Sequence, residues 1–208
     1  MYYSLLIFIV AFTIRIINLY IIQIDINSYI VEDQFLYWDW ALKNAYTSNS
    51  LLNEKVLLER MPGAFLFFQF AIWLVGENLF NVLMIQALVD SINCLIIAFI
   101  AKNINKNLFF LTGLIASFSP LLIIVSSQIL SDTIFLFSFS SSILCFLFFR
   151  NYKKEYFIYL GAVFLSLALY TRVIVLPLIF LIIFFIALFC YKERFILLKT
   201  IRLITIFF

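Results

Sequence analysis

Residues 61–76 read MPGAFLFFQFAIWLVG, and where this run lies decides how the rest of the chain is threaded. It is apolar throughout, yet shorter than the roughly 20 residues a helix needs to cross a bilayer's hydrocarbon core. Pro62 and Gly63 open it and Gly76 closes it, the residue types favoured at a helix start and just past a helix end. The pattern therefore predicts a short helix that is interfacial or re-entrant and does not span.

Working outward from that stretch, apolar runs long enough to span or nearly span recur at about 4–24, 79–101, 108–125, 133–149, 156–171 and 173–190, with another beginning at 199. Basic residues test the threading, because cytoplasmic loops carry an excess of Lys and Arg. If 61–76 does not span, Lys102 and Lys106, then Arg150, Lys153 and Lys154, then Lys192, Arg194 and Lys199 all fall on one side. Asp33, Asp132 and Arg172 fall on the other. If 61–76 did span, the first two basic clusters would be external, and Asp132 would lie across the membrane from Asp33. The first arrangement predicts an all-α polytopic membrane protein: a single transmembrane domain over 1–208, with an external loop at 25–78 that carries juxtamembrane helices.

Composition agrees with this fold class. The 208 residues are 66% hydrophobic and only 12% charged, about half the charge of an ordinary soluble domain, and the mean hydropathy is +1.14. The net charge of +3 is small, and no basic stripe outside the cytoplasmic loops suggests nucleic-acid binding. The chain has no His, and Cys94, Cys145 and Cys190 lie in or beside apolar runs without paired spacing. That pattern excludes a Cys/His metal site and argues against a disulfide framework. The first apolar run lacks the short core and small-residue cleavage site of a removable signal peptide, so it reads as a retained helix.

The external loop holds the longest polar interval, including Glu32-Asp33-Gln34-Phe35-Leu36-Tyr37-Trp38-Asp39-Trp40-Ala41 and Glu59-Arg60. Asp33, Tyr37 and Ala41 are spaced to share one helix face, and the Trp and Tyr residues suit the headgroup level. Asn49-Ser50 marks a turn. Farther on, Ser119-Pro120 breaks the end of the third span. Ser131 is placed to cap the next helix, with Asp132 in its first turn, where the helix dipole favours a carboxylate. Tyr170-Thr171-Arg172 closes the fifth span. Arg15 and Asp90 lie inside spans, where a charge costs about 2.5–3.5 kcal/mol. Arg15 can snorkel, pair with a carboxylate of the polar interval, or act at the site. Asp90 can be protonated, hydrogen-bond to Ser91, Asn93 or Gln86, or be functional.

Two external carboxylates, Asp33 and Asp132, and two external guanidiniums, Arg60 and Arg172, are equipment for displacement at a phosphorylated lipid. A carboxylate can take a proton from an acceptor hydroxyl. A guanidinium can stabilise a departing phosphate through charge-assisted hydrogen bonds.

The order of these motifs resembles the GT-C membrane glycosyltransferases, specifically the dolichyl-phosphate-mannose protein mannosyltransferase-like group. The matching residues are Glu32-Asp33 with Tyr37 and Ala41, Arg60-Met61-Pro62-Gly63 leading to Gly76, Gln86 to Lys102, Ser119-Pro120 followed by Asp132, and Gly161 to Arg172. Departures are Met61 in place of a Pro, Ala64-Phe65 in place of Tyr-Pro, and Val173 in place of a Pro. The resemblance implies a polyprenyl-phosphate sugar donor, a lipid, glycan or protein acceptor, and an acid of the first external loop as base. Asp33 takes that role, with Glu32 the alternative. Asp132 becomes the second-loop acid, and Arg60, Arg172 and Tyr37 become substrate-binding residues. No cofactor is established, although a divalent metal is compatible with the family. The site would face outward from the inner or plasma membrane. The rival readings are a lipid or small-molecule transporter that uses Arg15 and Asp90 as a charged pathway, and a truncated, inactive remnant of the transferase.

Overall fold

The computed structural model describes residues 2–23, 32–45, 61–172 and 174. Among these residues the chain is helical: α1 (Tyr2–Gln23), α2 (Glu32–Asn44), α3 (Pro62–Val75), α4 (Leu79–Ile104), α5 (Leu108–Ser117), α6 (Pro120–Ser126), α7 (Asp132–Tyr152) and α8 (Tyr156–Thr171). Of these, α1, α4 and α7 are long and apolar enough to cross a membrane, and α5 with α6 adds a fourth span if the two are counted together. The protein is an all-α polytopic membrane protein. The expected runs at 173–190 and from 199 onward lie outside the described residues, as do Arg60, Cys190 and the Asn49-Ser50 turn.

Helix α3 is an apolar helix of 14 residues, about 21 Å at 1.5 Å per residue and short of a bilayer core. Pro62 stands in its first turn, and Gly76 ends it with φ 81° and ψ −178°, a conformation essentially restricted to glycine. Asn78 then caps α4, its Oδ1 accepting from the backbone N–H of Phe80 at 2.9 Å. One helix therefore ends at a glycine and the next begins with a satisfied start.

The third apolar run is two helices and not one, α5 and α6 being bent by 53°. Pro120 is the cause. It has no N–H to give to Ala116, and its ring would clash with that carbonyl in a continuous helix. Ser119 N–H reaches Ala116 O at 3.3 Å, and the ladder restarts with Ile123 N–H to Ser119 O at 3.1 Å.

Along α1, Ile7, Ala11, Arg15 and Leu19 are buried at every fourth position, so Arg15 lies on the stripe that faces the bundle. Its Nη2 is 2.6 Å from Asp90 Oδ2 of α4, with side-chain exposures of 0% and 1%. Nη1 donates to Ala11 O at 2.9 Å and lies 3.5 Å from Ser117 O at the α5–α6 break. Neither snorkelling nor a carboxylate of the polar interval accounts for Arg15, because its helix face points to α4. Of the partners proposed for Asp90, Ser91 and Gln86 are engaged elsewhere: Ser91 Oγ donates to Ala87 O and Gln86 Nε2 to the 125–133 segment. Asn93, by contrast, does hydrogen-bond Asp90. Cys94 is buried, and its Sγ accepts from Arg15 Nη2 at 3.2 Å.

Close packing of α7 rests on small residues. Ser138, Ser140, Ser141 and Ser142 are buried. Ser140 donates to Asn93 Oδ1 of α4, and Ser142 to Gly161 O of α8 at 2.9 Å. Small side chains let helix backbones approach where lipid supplies no hydrophobic drive.

Candidate functional site at the acidic end of the bundle

The bundle has two chemically different ends. At one, Asn151 donates to Asn103 at 2.6 Å and Tyr3 packs on Phe110, which brings together the neighbourhoods of Lys102, Lys106, Arg150, Lys153 and Lys154. At the other, Tyr20 of α1 meets Phe80 of α4, and the starts of α2 and α7 lie with the end of α8. Among the described lysines Lys43 alone lies at this second end, in an exposed pair with Asp39 at 2.6 Å.

Arg172 follows the last residue of α8 in an extended conformation. Its Nη2 donates to Asp132 Oδ2 at 2.5 Å and its Nε to Ser131 Oγ at 3.1 Å. Side-chain exposures are 39% for Arg172 and 24% for Asp132, so the pair is open to an entering group. Ser131 does not cap α7 as its position suggested. It makes no side-chain cap hydrogen bond, because its hydroxyl receives the guanidinium instead.

The short helix α3 leads to the same place. A Cβ built on Gly63 would lie 2.7 Å from Tyr170 O and 2.8 Å from Thr171 Cγ2. Only glycine lets the start of α3 rest on the end of α8, one residue before Arg172.

Helix α2 completes the end. Gln34, Tyr37, Trp40, Ala41 and Asn44 form its buried face. Tyr37 packs on Phe65 at 4.7 Å and Trp40 on Phe65 at 4.9 Å, both centroid to centroid. Tyr37, read as substrate-binding, is thus part of the α2–α3 core. Asp33 falls on the same face by its spacing, but at the first turn it emerges from the packing and is exposed. Glu32 begins the helix. Gln34 Oε1 accepts from Ile129 N–H at 3.2 Å, three residues before Asp132. The two acidic segments therefore meet at one end of the molecule.

Gln34, Gln86 and Gly63 contribute to this geometry and carry no chemical signature of their own. Their signal in the sequence is an amide inside or beside an apolar run and a glycine after a proline. Among the described residues, no group of three or more Asp, Glu, His or Cys side chains could hold a metal ion. Asp132 is a lone carboxylate beside a guanidinium, so the described residues do not fit a divalent-metal site. Arg15 and Asp90, read as a possible charged pathway, are enclosed and paired with each other.

The chain matches none of the curated proteins and none of the solved structures. A family model does match residues 59–208, more than two-thirds of the chain. The matched region includes Arg60, Asp132 and Arg172, whereas Glu32, Asp33 and Tyr37 precede it. With its apolar helices and the pairing of Asp132 with Arg172, the chain belongs to the dolichyl-phosphate-mannose-protein mannosyltransferase family, a family of membrane glycosyltransferases.

Proposed function

We propose that the protein transfers a sugar from a polyprenyl-phosphate donor to an extracytoplasmic acceptor, inverting the sugar carbon. The observation that carries the reading is the Asp132–Arg172 pair, on the end of the bundle where α2 presents Asp33. Asp33 is the base and Glu32 the neighbouring alternative. The acceptor hydroxyl attacks the anomeric carbon while its proton passes to Asp33. The bond from that carbon to the phosphate oxygen breaks, and its electron pair leaves with the phosphate. Arg172 offsets the charge gained there, held in place by Asp132 and Ser131, and Arg60 is a second candidate cation. The positive-inside rule supports the sidedness: the opposite end carries Lys102, Lys106, Arg150, Lys153 and Lys154.

Transfer of labelled sugar from a polyprenyl-phosphate donor, in membranes containing the protein, tests the reading. Asp33→Asn lowers turnover by roughly 10²–10⁴-fold, and Glu32→Gln has the smaller effect. Wild-type turnover in Asp33→Asn, with loss in Glu32→Gln, would move the base to Glu32. Wild-type turnover in both would reject a carboxylate base on α2.

A further inference from the structure

The segment from Val125 to Thr133, which delivers Ser131 and Asp132 to Arg172, is gripped by two glutamines from separate helices. Gln86 of α4 is fully buried. Its Nε2, with two hydrogens to share, lies within hydrogen-bond reach of Gln128 O at 2.6 Å, Val125 O at 3.0 Å and Thr133 Oγ1 at 3.1 Å. Gln34 of α2, 4% exposed, accepts from Ile129 N–H in the same turn. The start of α7 needs such outside support. Its N-cap hydroxyl is turned away to Arg172, so the usual anchor of a helix start is missing.

We infer that Gln34 and Gln86 are positioning residues that fix the spacing between the acids of the two loops. The inference rests on the reading of Asp33 and Asp132 as one site. Gln34 directly follows Asp33 in α2, and Gln86 binds Thr133 directly after Asp132. A shift of the turn in either grip changes where Asp132 and Arg172 stand relative to Asp33. An error of about 1 Å in such a constellation is worth on the order of 10²-fold in rate.

The test uses the whole protein in lipid nanodiscs and two independent readouts. Hydrogen–deuterium exchange over 127–131 reads the grip without any reaction. Gln34→Leu removes the acceptor of Ile129 N–H and speeds exchange there by roughly 5–10-fold, the equivalent of one hydrogen bond. It lowers kcat on the order of 10²-fold and leaves the donor KM within about two-fold. Gln34→Glu keeps an acceptor at the same reach and restores slow exchange and turnover. Should Gln34→Leu fail to fold, Gln86→Leu carries the same expectation. Unchanged exchange in the leucine variant overturns the inference, as does faster exchange with wild-type kcat. Full activity of Asp132→Asn overturns the reading of the site and the inference with it, whatever the exchange data show.

Discussion

Arg172 commits Nε and Nη2 to α7 and leaves Nη1 free of both contacts. A lysine cannot reproduce this, since one ammonium lacks the planar fork that meets two oxygens at once. Arg172→Lys therefore lowers kcat on the order of 10²-fold in the sugar-transfer assay. Asp132→Asn keeps the hydrogen-bonding shape but not the charge. The pair is partly exposed, so this change costs stability at most about 1 kcal/mol. A thermal midpoint close to wild type with depressed turnover is the expected outcome. That Asp132 and Arg172 share one end of the bundle was legible because each stands at the end of an apolar run. Tyr37 was not, because Tyr37, Trp40 and Ala41 at helical spacing describe a packed face as well as a binding one. The Arg15 partner was hidden by a separation of 75 residues, since pairing two lone charges requires knowing which helices are neighbours.

Two glycines border α3 for different reasons, and their substitutions separate those reasons. Gly63 meets backbone of α8, which cannot yield as a flexible side chain can. Gly63→Ala forces the two helices apart, destabilises by about 1–3 kcal/mol and lowers sugar transfer because Arg172 moves. Gly76 has open space around the missing Cβ but a φ of 81°. Gly76→Ala costs about 1–3 kcal/mol through backbone strain alone. Thermal midpoints for both variants, with donor-dependent turnover, distinguish them: the loss of turnover per unit of stability is greater for Gly63→Ala. At this scale the sequence revealed that α3 is short, because Pro62 and Gly76 are local signals. It marked a break at Ser119-Pro120 but not the 53° between α5 and α6, since that angle depends on what packs beside the break.

Sorting of charge between the two ends is a property of the whole bundle. A membrane-impermeant thiol reagent is expected to label Glu77→Cys, exposed just before the start of α4, in intact cells, and Lys153→Cys only after permeabilisation. The reverse pattern would put the Asp132 end in the cytoplasm. The buried Arg15–Asp90 pair acts at the same scale, tying α1 to α4. Arg15→Met or Asp90→Leu alone leaves an unpaired buried charge and destabilises by about 3–5 kcal/mol. The double variant loses much less than the sum, which a double-mutant cycle of unfolding measures. The gathering of Lys102, Lys106, Arg150, Lys153 and Lys154 at one end was readable from the sequence because the positive-inside rule acts on loops, whatever the interior packing.

That same pair constrains biogenesis. A ribosome adding about 5–20 residues per second needs roughly 4–15 s to make the 75 residues between Arg15 and Asp90. During that interval α1 carries a cation without its counter-ion, in a setting that penalises it by about 2.5–3.5 kcal/mol. The nascent first helix must then wait at the translocon or near the headgroups until α4 emerges. An Asp90→Leu variant never supplies that counter-ion, so its yield of inserted protein is expected to fall below that of the double variant.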